Sequence, residues 1–493
     1  MSAVTAPVTV DPAKEKLSIL EKTGFGVGDL ASNLLFQTFN TFLLFFYTDV
    51  VGLSTSAIFW IFAVAKIWDM VNDPLMGAIA DRTKSKWGSY RPYIFLLAIP
   101  YGISAYLLFT VPDLGPTAKV FYCGATYILA TMIYTGINIP YCALMGVITP
   151  NVQERTSVSQ YRFFMAFAGQ FLINTFMVPL VILFGNKPES PTFIAERGYD
   201  PVAGFPTAMI VFGTLSALLF FMTFFTTRER IKPVVEKNSK FKDDWKDLMR
   251  NGPWWVLFIS AALNLGNVAV RNGAMLYFLD YVMEGGGVLL FTVPFGFFEL
   301  EVTRTVLFMS LGALVTVAGV LPTSYLTKRF EKRTLYVWFM VFQGLFYALI
   351  FFAPVDNYGL ILTLHLLGMF CSGPGPVIVF SMYADVADYS EWKNNRRATG
   401  LIVATILFAI KGGLWLGAQL NALVLWIIDY TREAAAAGEP GVIAGLNLLF
   451  TWIPGILAAA AGLILLKYSI SDQQLKQIEQ ELLDRKAAAG TSG

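Results

Sequence analysis

The residues best suited to chemistry in this chain lie in Asp69-Met-Val-Asn72-Asp73, a polar stretch inside an apolar segment. Asp69, Asn72 and Asp73 are spaced i, i+3 and i+4, so on a helix their side chains share one face. The apolar segment, residues 56–80, is long enough to cross a bilayer as a helix. Carboxylate and amide oxygens suit Na⁺ or H⁺ better than a soft metal. The pattern predicts a coupling-cation site within a membrane span.

The cost of charge in a membrane supports this interpretation. An ionised side chain at the centre of a bilayer costs about 2.5–3.5 kcal/mol on insertion scales, so a span that keeps two acids generally uses them. If no metal ion binds, the two acids repel each other, which makes H⁺ a substitute for Na⁺. The structural alternative is an ion pair with Lys66, three residues before Asp69. One lysine cannot neutralise both acids, so the cation site is favoured.

The composition is that of a membrane protein. Hydrophobic residues make up 56% of the chain and charged residues only 14%, against about 25% charged in soluble domains. The net charge of +2 is too small to indicate nucleic-acid binding. The single histidine, His365, excludes a histidine-based metal site. We therefore expect no catalytic residues, no enzyme activity and no cofactor other than the coupling ion.

Apolar stretches of spanning length recur about twelve times along the chain. They predict an all-α membrane protein with two six-helix halves that flank a central site, as in many secondary transporters. The predicted segments are a cytoplasmic N-terminal tail (residues 1–17), an N-terminal half (18–227), a cytoplasmic middle loop (228–251), a C-terminal half (252–468) and a cytoplasmic tail (469–493).

The distribution of Lys and Arg predicts the orientation. With both termini in the cytoplasm, most of the basic residues fall in inner loops, including Arg82, Lys84 and Lys86. The opposite orientation would invert this bias, which the positive-inside rule disfavours. We expect a multi-pass protein of the cell inner membrane, in contact with the lipid bilayer and monomeric.

Several motifs together resemble one transporter family. They are Tyr47-Thr-Asp-Val-Val-Gly52, Trp68-Asp-Met-Val-Asn-Asp-Pro-Leu-Met-Gly77, Asp81-Arg-Thr-Lys-Ser-Lys-Trp-Gly88 and Tyr383-Ala-Asp-Val-Ala-Asp-Tyr389. The chain resembles the glycoside–pentoside–hexuronide:cation symporters, the melibiose permease-like group of the major facilitator superfamily, over residues 24–468. The resemblance implies the major facilitator fold and symport of a sugar-like solute with Na⁺, Li⁺ or H⁺ by alternating access.

The resemblance also implies roles for individual residues. The implied cation site, which holds Na⁺ if the coupling is to sodium, consists of Asp69, Asn72, Asp73 and Thr135. The implied solute contacts are Asp29, Asn138, Arg162 and Lys411, and Tyr141 is an aromatic available to stack on a sugar ring. The family has an aspartate where this chain has Asn138, and a lysine where it has Gly28. The stoichiometry and the cation preference therefore cannot be carried over.

The charge of the solute follows from three cationic residues. Arg162, Arg271 and Lys411 lie on predicted spans, and Arg271 has no counterpart in the family pattern. A buried cation needs a partner or an anionic ligand, and a guanidinium suits bidentate binding of a carboxylate. We hypothesise an anionic glycoside or uronide. The alternative is pairing with acids of the chain, namely Asp29, Asp69, Asp73 or Asp385.

A further set of charges predicts a latch at the inner surface. Asp81, Arg82 and Arg91 crowd one inner loop, and Asp385 and Asp388 crowd the inner end of the tenth span. Opposite charges on the two halves would hold the inner side closed, whereas the alternative assigns the basic loop to topology alone.

Two backbone features are also predicted from prolines. Asn138-Ile-Pro140 predicts a helix irregularity because Pro140 lacks an N–H donor. Gly373-Pro-Gly-Pro376 predicts a helix break.

Two rival functions remain open from the sequence. One is cation-coupled transport of a lysolipid or another amphiphile, and the other is a non-transporting sensor on the same scaffold. The polar and cationic residues of the spans favour a sugar.

Overall fold

The computed structural model describes residues 16–149, 152–190, 192, 198–230, 250–283, 285, 287–295, 298–394, 399–471, 474–475, 477–478 and 480–482. The chain divides into two compact units. The first combines residues 1–39 with 63–235, and the second combines residues 40–62 with 236–493. Within the described ranges, nine helices are long and apolar enough to cross a membrane.

The first unit is helical. Its helices are α1 (Ile19–Thr38), α2 (Thr55–Arg82), α3 (Arg91–Leu108), α4 (Pro116–Val147), α5 (Val152–Gly185) and α6 (Pro201–Thr226). α2 begins among residues that cluster with the second unit, as does the π-helical turn Phe46–Val50, and the π-helical turn Phe39–Leu43 crosses from the first unit into the second at Asn40. A helix pairs its backbone N–H and C=O groups internally. Apolar segments that lie in a bilayer require this pairing, because no water is available to bond those groups.

The second unit contains helices and one antiparallel hairpin. Its elements are α7 (Gly252–Tyr277, continued by the π-helical turn Phe278–Val282), β1 (Leu289–Phe295), β2 (Phe298–Thr303), α8 (Arg304–Val320), α9 (Thr323–Leu326), α10 (Lys332–Ile350), α11 (Tyr358–Ser372), α12 (Pro374–Asn394), α13 (Thr399–Ile427), α14 (Arg432–Ala436), α15 (Pro440–Phe450) and α16 (Trp452–Ile464). The all-α prediction therefore holds for the spans, and the hairpin is an addition to it.

Short polar side chains set where many of these helices begin. The residue before the first turn accepts a hydrogen bond from a backbone N–H of that turn in α1, α6, α7, α8 and α11. The caps are Ser18, Asp200, Asn251, Thr303 and Asn357. Each of these side chains satisfies a backbone donor that the helix itself leaves unpaired.

One carboxylate fixes the turn between α2 and α3. Glu229 accepts backbone hydrogen bonds from Ser89, Tyr90 and Arg91 at 2.8, 2.8 and 3.0 Å. An acid at a helix N-terminus is stabilised by the helix dipole. Gly88 next to it has φ +107°, and a Cβ there would lie 2.3 Å from the Glu229 carboxyl carbon, so only glycine fits.

Prolines affect the spans unequally. The predicted irregularity at Pro140 is wrong, because α4 runs without interruption from Pro116 to Val147. Pro140 is buried, and spans tolerate proline where neighbouring helices and small local adjustments compensate for the lost hydrogen bond. The predicted break at Gly373 is confirmed, since α11 ends at Ser372 and α12 begins at Pro374.

Glycines allow α3 and α6 to approach closely. A Cβ on Gly102 would lie 2.7 Å from the Gly213 carbonyl oxygen, and one on Gly213 would lie 2.9 Å from that of Gly102. Small residues at such crossings let helix backbones meet, which supplies packing energy in a membrane.

This contact gives a stability prediction. Gly102→Ala must push the α3 and α6 backbones apart, and we expect it to destabilise the protein by about 1–3 kcal/mol. Gly146→Ala is the matched control, because nothing lies within 4 Å of a Cβ there and alanine favours a helix. Thermal unfolding in detergent measures both. Equal melting temperatures for the two variants would contradict the close-packing argument.

Candidate functional site

The cation face predicted on α2 lies against α4 in the first unit. Asp69, Asn72 and Asp73 occupy one side of a single turn of α2, and all three are half-buried. Thr135 of α4 is 1% exposed, and its hydroxyl donates to Asp73 Oδ1 at 2.9 Å. The structure thus brings the predicted hydroxyl of α4 to one of the two acids of α2.

Lys66 engages the other acid. Its Nζ lies 3.4 Å from Asp69 Oδ2, one turn along the same helix. The intrahelical pairing considered as an alternative is therefore present. It does not replace the predicted cation face, since the ammonium lies beside Asp69 while Asp73 accepts from a hydroxyl.

A second polar group in the same unit contains two residues of the implied solute site. Arg162 Nε of α5 donates to Asp29 Oδ2 of α1 at 2.6 Å. The Asp29 side chain is 10% exposed and that of Arg162 is 26% exposed. A short charge-assisted hydrogen bond between partly buried side chains is strong, so it fixes the orientation of both Asp29 and Arg162.

Contacts through α4 extend this pair. Arg162 also donates to Cys142 Sγ at 3.5 Å, and that sulfur lies 3.9 Å from Asn138 Oδ1. The Asn138 amide donates to the Tyr134 hydroxyl at 3.0 Å. Asp29, Arg162 and Asn138 are therefore connected across α1, α4 and α5, with Cys142 between them.

Tyr141 supports this group from behind. It is fully buried, its hydroxyl donates to the Phe25 carbonyl at 2.8 Å, and its ring stacks on Phe25. The ring centroid lies 5.6 Å from the Arg162 guanidinium carbon. A Cβ on Gly28 would lie 2.5 Å from the Tyr141 ring, which explains why a longer residue is absent there. This burial favours a positioning role over stacking on a sugar.

Arg271 lies in a different environment, inside the second unit. It is 2% exposed, its guanidinium lies 2.7 Å from His365 Nδ1, and it donates to the Phe450 carbonyl at 3.0 Å. The rings of Tyr347 and Phe450 flank it at 3.6 and 4.0 Å. In the part of the chain that the structure describes, no carboxylate pairs with it. This geometry does not favour direct contact of Arg271 with a solute.

Lys411 is half-buried on α13 of the second unit. Two acids of the predicted latch, Asp385 and Asp388, lie on α12 in the second unit. Lys332 pairs with Asp385 at 2.8 Å, and Asp388 is half-buried nearby on α12. The latch itself stays a prediction.

The latch residues of the first unit are held by the turn between α2 and α3. The Tyr90 hydroxyl donates to Asp81 at 2.8 Å, and burial followed by this hydrogen bond raises the pKa of Tyr90. Arg91 donates to the Phe224 carbonyl at 2.7 Å, and Arg82 is exposed.

Asp49 was not singled out from the sequence, although it lies in the motif Tyr47-Thr-Asp-Val-Val-Gly52. It is 3% exposed in the second unit and accepts hydrogen bonds from the hydroxyls of Thr48, Tyr281 and Tyr430. The sequence signal for Asp49 was an acidic residue inside an otherwise apolar motif. Its contacts with Tyr281 and Tyr430 could not be predicted, because these tyrosines are more than 200 residues away along the chain.

Comparison with known proteins agrees with this architecture. Residues 24–472 match the family model described as MFS/sugar transport protein. A putative glycoside/cation symporter of Escherichia coli (strain K12), YagG, is 35% identical, with 96% of this chain and 97% of the relative covered. An isoprimeverose transporter of Lactiplantibacillus pentosus is 30% identical, with 99% and 97% covered.

Solved structures show the same fold. A D-xylose-proton symporter superposes with a TM-score of 0.60 at 14% identity, covering 92% of this chain and 97% of that one. The match of the family model over nearly the whole chain, together with relatives of this identity and coverage, shows that this multi-pass membrane protein belongs to the MFS/sugar transport protein family.

Proposed function

We propose that this chain is a secondary active transporter that uses the downhill movement of a cation to accumulate a sugar-like solute. The observation that carries the proposal is the contact between Asp73 and Thr135 beside Asp69 and Asn72, where α2 meets the candidate membrane span α4. The relatives described as glycoside/cation symporter and isoprimeverose transporter support it. They do not favour an amphiphile carrier or a non-transporting sensor.

The cation step uses oxygen ligands from two helices. The carboxylates of Asp69 and Asp73, the Asn72 amide and the Thr135 hydroxyl are hard ligands that replace part of the hydration shell of Na⁺. H⁺ serves the same purpose by neutralising one acid. In either case the cation removes repulsion between the two carboxylates, which lowers the cost of burying them.

The solute step uses the group around Arg162. Asp29 accepts hydrogen bonds from sugar hydroxyls, Arg162 retains N–H donors beyond the one given to Asp29, and Asn138 both donates and accepts. In the proposed cycle, a bound cation raises the affinity of the protein for the solute. Because coupling between two binding sites is reciprocal, a bound solute raises the affinity for the cation by the same factor. The binding of both, followed by exposure of the site to the opposite side of the membrane, completes symport.

The charge of the solute separates two versions of this proposal. Since Asp29 already balances Arg162 and His365 faces Arg271, these two arginines do not by themselves require an anionic solute. A relative at 26% identity is named a glucuronide carrier protein homolog, which supports the anionic version. We further propose a monomer in the cell inner membrane, with both termini in the cytoplasm.

Removal of both acids tests the cation site. Asp69→Asn with Asp73→Asn preserves size but removes both charges, so we expect cation-driven accumulation in membrane vesicles to fall to the level of vesicles without the protein. Asp113→Asn is the control, because the Asp113 side chain is fully exposed. Undiminished accumulation against a gradient by the double variant would defeat the proposal.

The hydroxyl of α4 is tested separately. Thr135→Val removes the donor to Asp73 and keeps the shape, at a cost of about 1 kcal/mol per hydrogen bond, which corresponds to about a fivefold rise in the half-saturating cation concentration. Thr131→Val is the matched control on the same helix, since Thr131 bonds only to the Ile128 carbonyl of its own turn. An unchanged cation dependence in Thr135→Val would exclude Thr135 from the site.

The role of Arg162 is tested by solute binding. Arg162→Gln leaves Asp29 without its cation, so we expect at least a tenfold loss of solute affinity, about 1.4 kcal/mol, measured by calorimetry with a neutral glycoside and its uronate. Arg230→Gln is the control, because Arg230 forms a comparable ion pair with Glu21 in the same unit. Equal losses in both variants would indicate a structural role. Strong preference of the unmodified protein for the neutral glycoside would defeat the anionic version.

A further inference from the structure

The hairpin of β1 and β2 exposes an unusual amount of apolar surface. Val288, Leu289, Leu290 and Phe291 are consecutive, and their exposed fractions are 46%, 49%, 41% and 49%. Scattered apolar residues on a surface need no explanation, but a contiguous apolar patch indicates a binding partner or a membrane.

Beyond the irregularity between Leu289 and Phe291, the strand register places the side chains of the hairpin on two different faces. Phe291 pairs with Val302, and Thr292 pairs with Glu301. Paired residues point to the same side of a hairpin, and successive residues point to opposite sides. One face therefore carries the exposed Phe291 and also Val302, which is only 7% exposed, and the other carries the exposed Thr292 and Glu301.

The base of the hairpin is fixed to the ends of membrane spans. Arg304, the first residue of α8, donates its backbone N–H to the Val288 carbonyl at 3.0 Å. The Tyr358 hydroxyl of α11 donates to the Arg304 carbonyl at 2.9 Å, and the Arg304 guanidinium lies 5.2 Å from the Tyr358 ring centroid. The hairpin is thus held beside the N-termini of two apolar helices, α8 and α11, the second of which begins a candidate membrane span.

We propose that this hairpin lies in the membrane interface, with the Phe291 face against lipid and the Glu301 face towards water. The sequence predicts that this is the outer leaflet. A two-stranded sheet has open edges whose unpaired N–H and C=O groups exclude it from the hydrocarbon core. At the boundary between headgroups and acyl chains, water and headgroups satisfy those edges while the apolar face is buried, as for an interfacial helix.

Continuity with the lipid-facing surface favours lipid over a protein partner. α8 follows the hairpin directly and also exposes an apolar side chain, since Leu314 is 49% accessible. The acidic residue on the opposite face makes a neutral lipid surface a better match than an anionic one. The occupant that fits is therefore the zwitterionic lipid interface that already surrounds the spans.

Spin labels on opposite faces of the hairpin test the proposal. Phe291→Cys and Thr292→Cys are adjacent and form the matched pair, with Leu314→Cys as the reference inside the membrane. The variants are made in a chain whose native cysteines are replaced by serine, at positions Cys123, Cys142 and Cys371. Each labelled protein is reconstituted in phosphatidylcholine vesicles, and its accessibility to O₂ and to a water-soluble nickel chelate is measured.

We expect the label at 291 to show higher O₂ accessibility and several-fold lower chelate accessibility than the label at 292, with values between those at 292 and 314, as a position in the interface requires. High chelate accessibility at both hairpin positions would place the hairpin in water and overturn the proposal. Low accessibility of position 291 to both reagents would also overturn it, because the face would then be covered by protein. A short distance between labels at 291 of two copies would identify that protein as a second copy.

Discussion

The structure depends on one constraint, which is that every charge kept inside an apolar bundle needs a partner of matching chemistry. Asp29 and Arg162 meet this constraint directly, with 2.6 Å between Oδ2 and Nε. Removing one member of such a pair costs about 3–5 kcal/mol, because the other charge remains buried and unpaired. The positions of α1, α4 and α5 in the first unit are therefore tied to side chains that also suit solute binding.

The same constraint has a different solution at Arg271. Aromatic rings on both sides and a neutral acceptor on His365 take the place that an acid would occupy. The quadrupole of an aromatic ring attracts a cation more strongly where water is absent. A count of charges in the sequence cannot distinguish this arrangement from a ligand-binding arginine, since the rings come from α10 and α15, far away along the chain.

Local spacing predicted the α2 face well, because i, i+3 and i+4 positions share a face in any helix. Its contact with Thr135 followed only from the family resemblance. The functional charges also make α2 less apolar, and it is not among the nine helices of the described ranges that length and hydropathy mark as spans. The hairpin was missed because its apolar run of residues 288–295 is too short for a span and lacks regular polar alternation, although residues 298–302 alternate apolar and acidic side chains, which was the available signal. Pro140 was expected to disturb its helix because proline lacks an N–H donor, whereas α4 is continuous.

The arrangement of α4 connects the two parts of the proposed cycle. Thr135, which donates to Asp73, and Asn138, which belongs to the Arg162 group, are three residues apart on this helix. Residues at i and i+3 lie on one face, with about 5–6 Å between their Cβ atoms. The acid proposed to bind the cation, Asp73, contacts Thr135, and the adjacent turn of α4 holds Asn138. In the proposed cycle, coupling between cation and solute therefore needs no long pathway, because one turn of one helix carries a proposed contact for each.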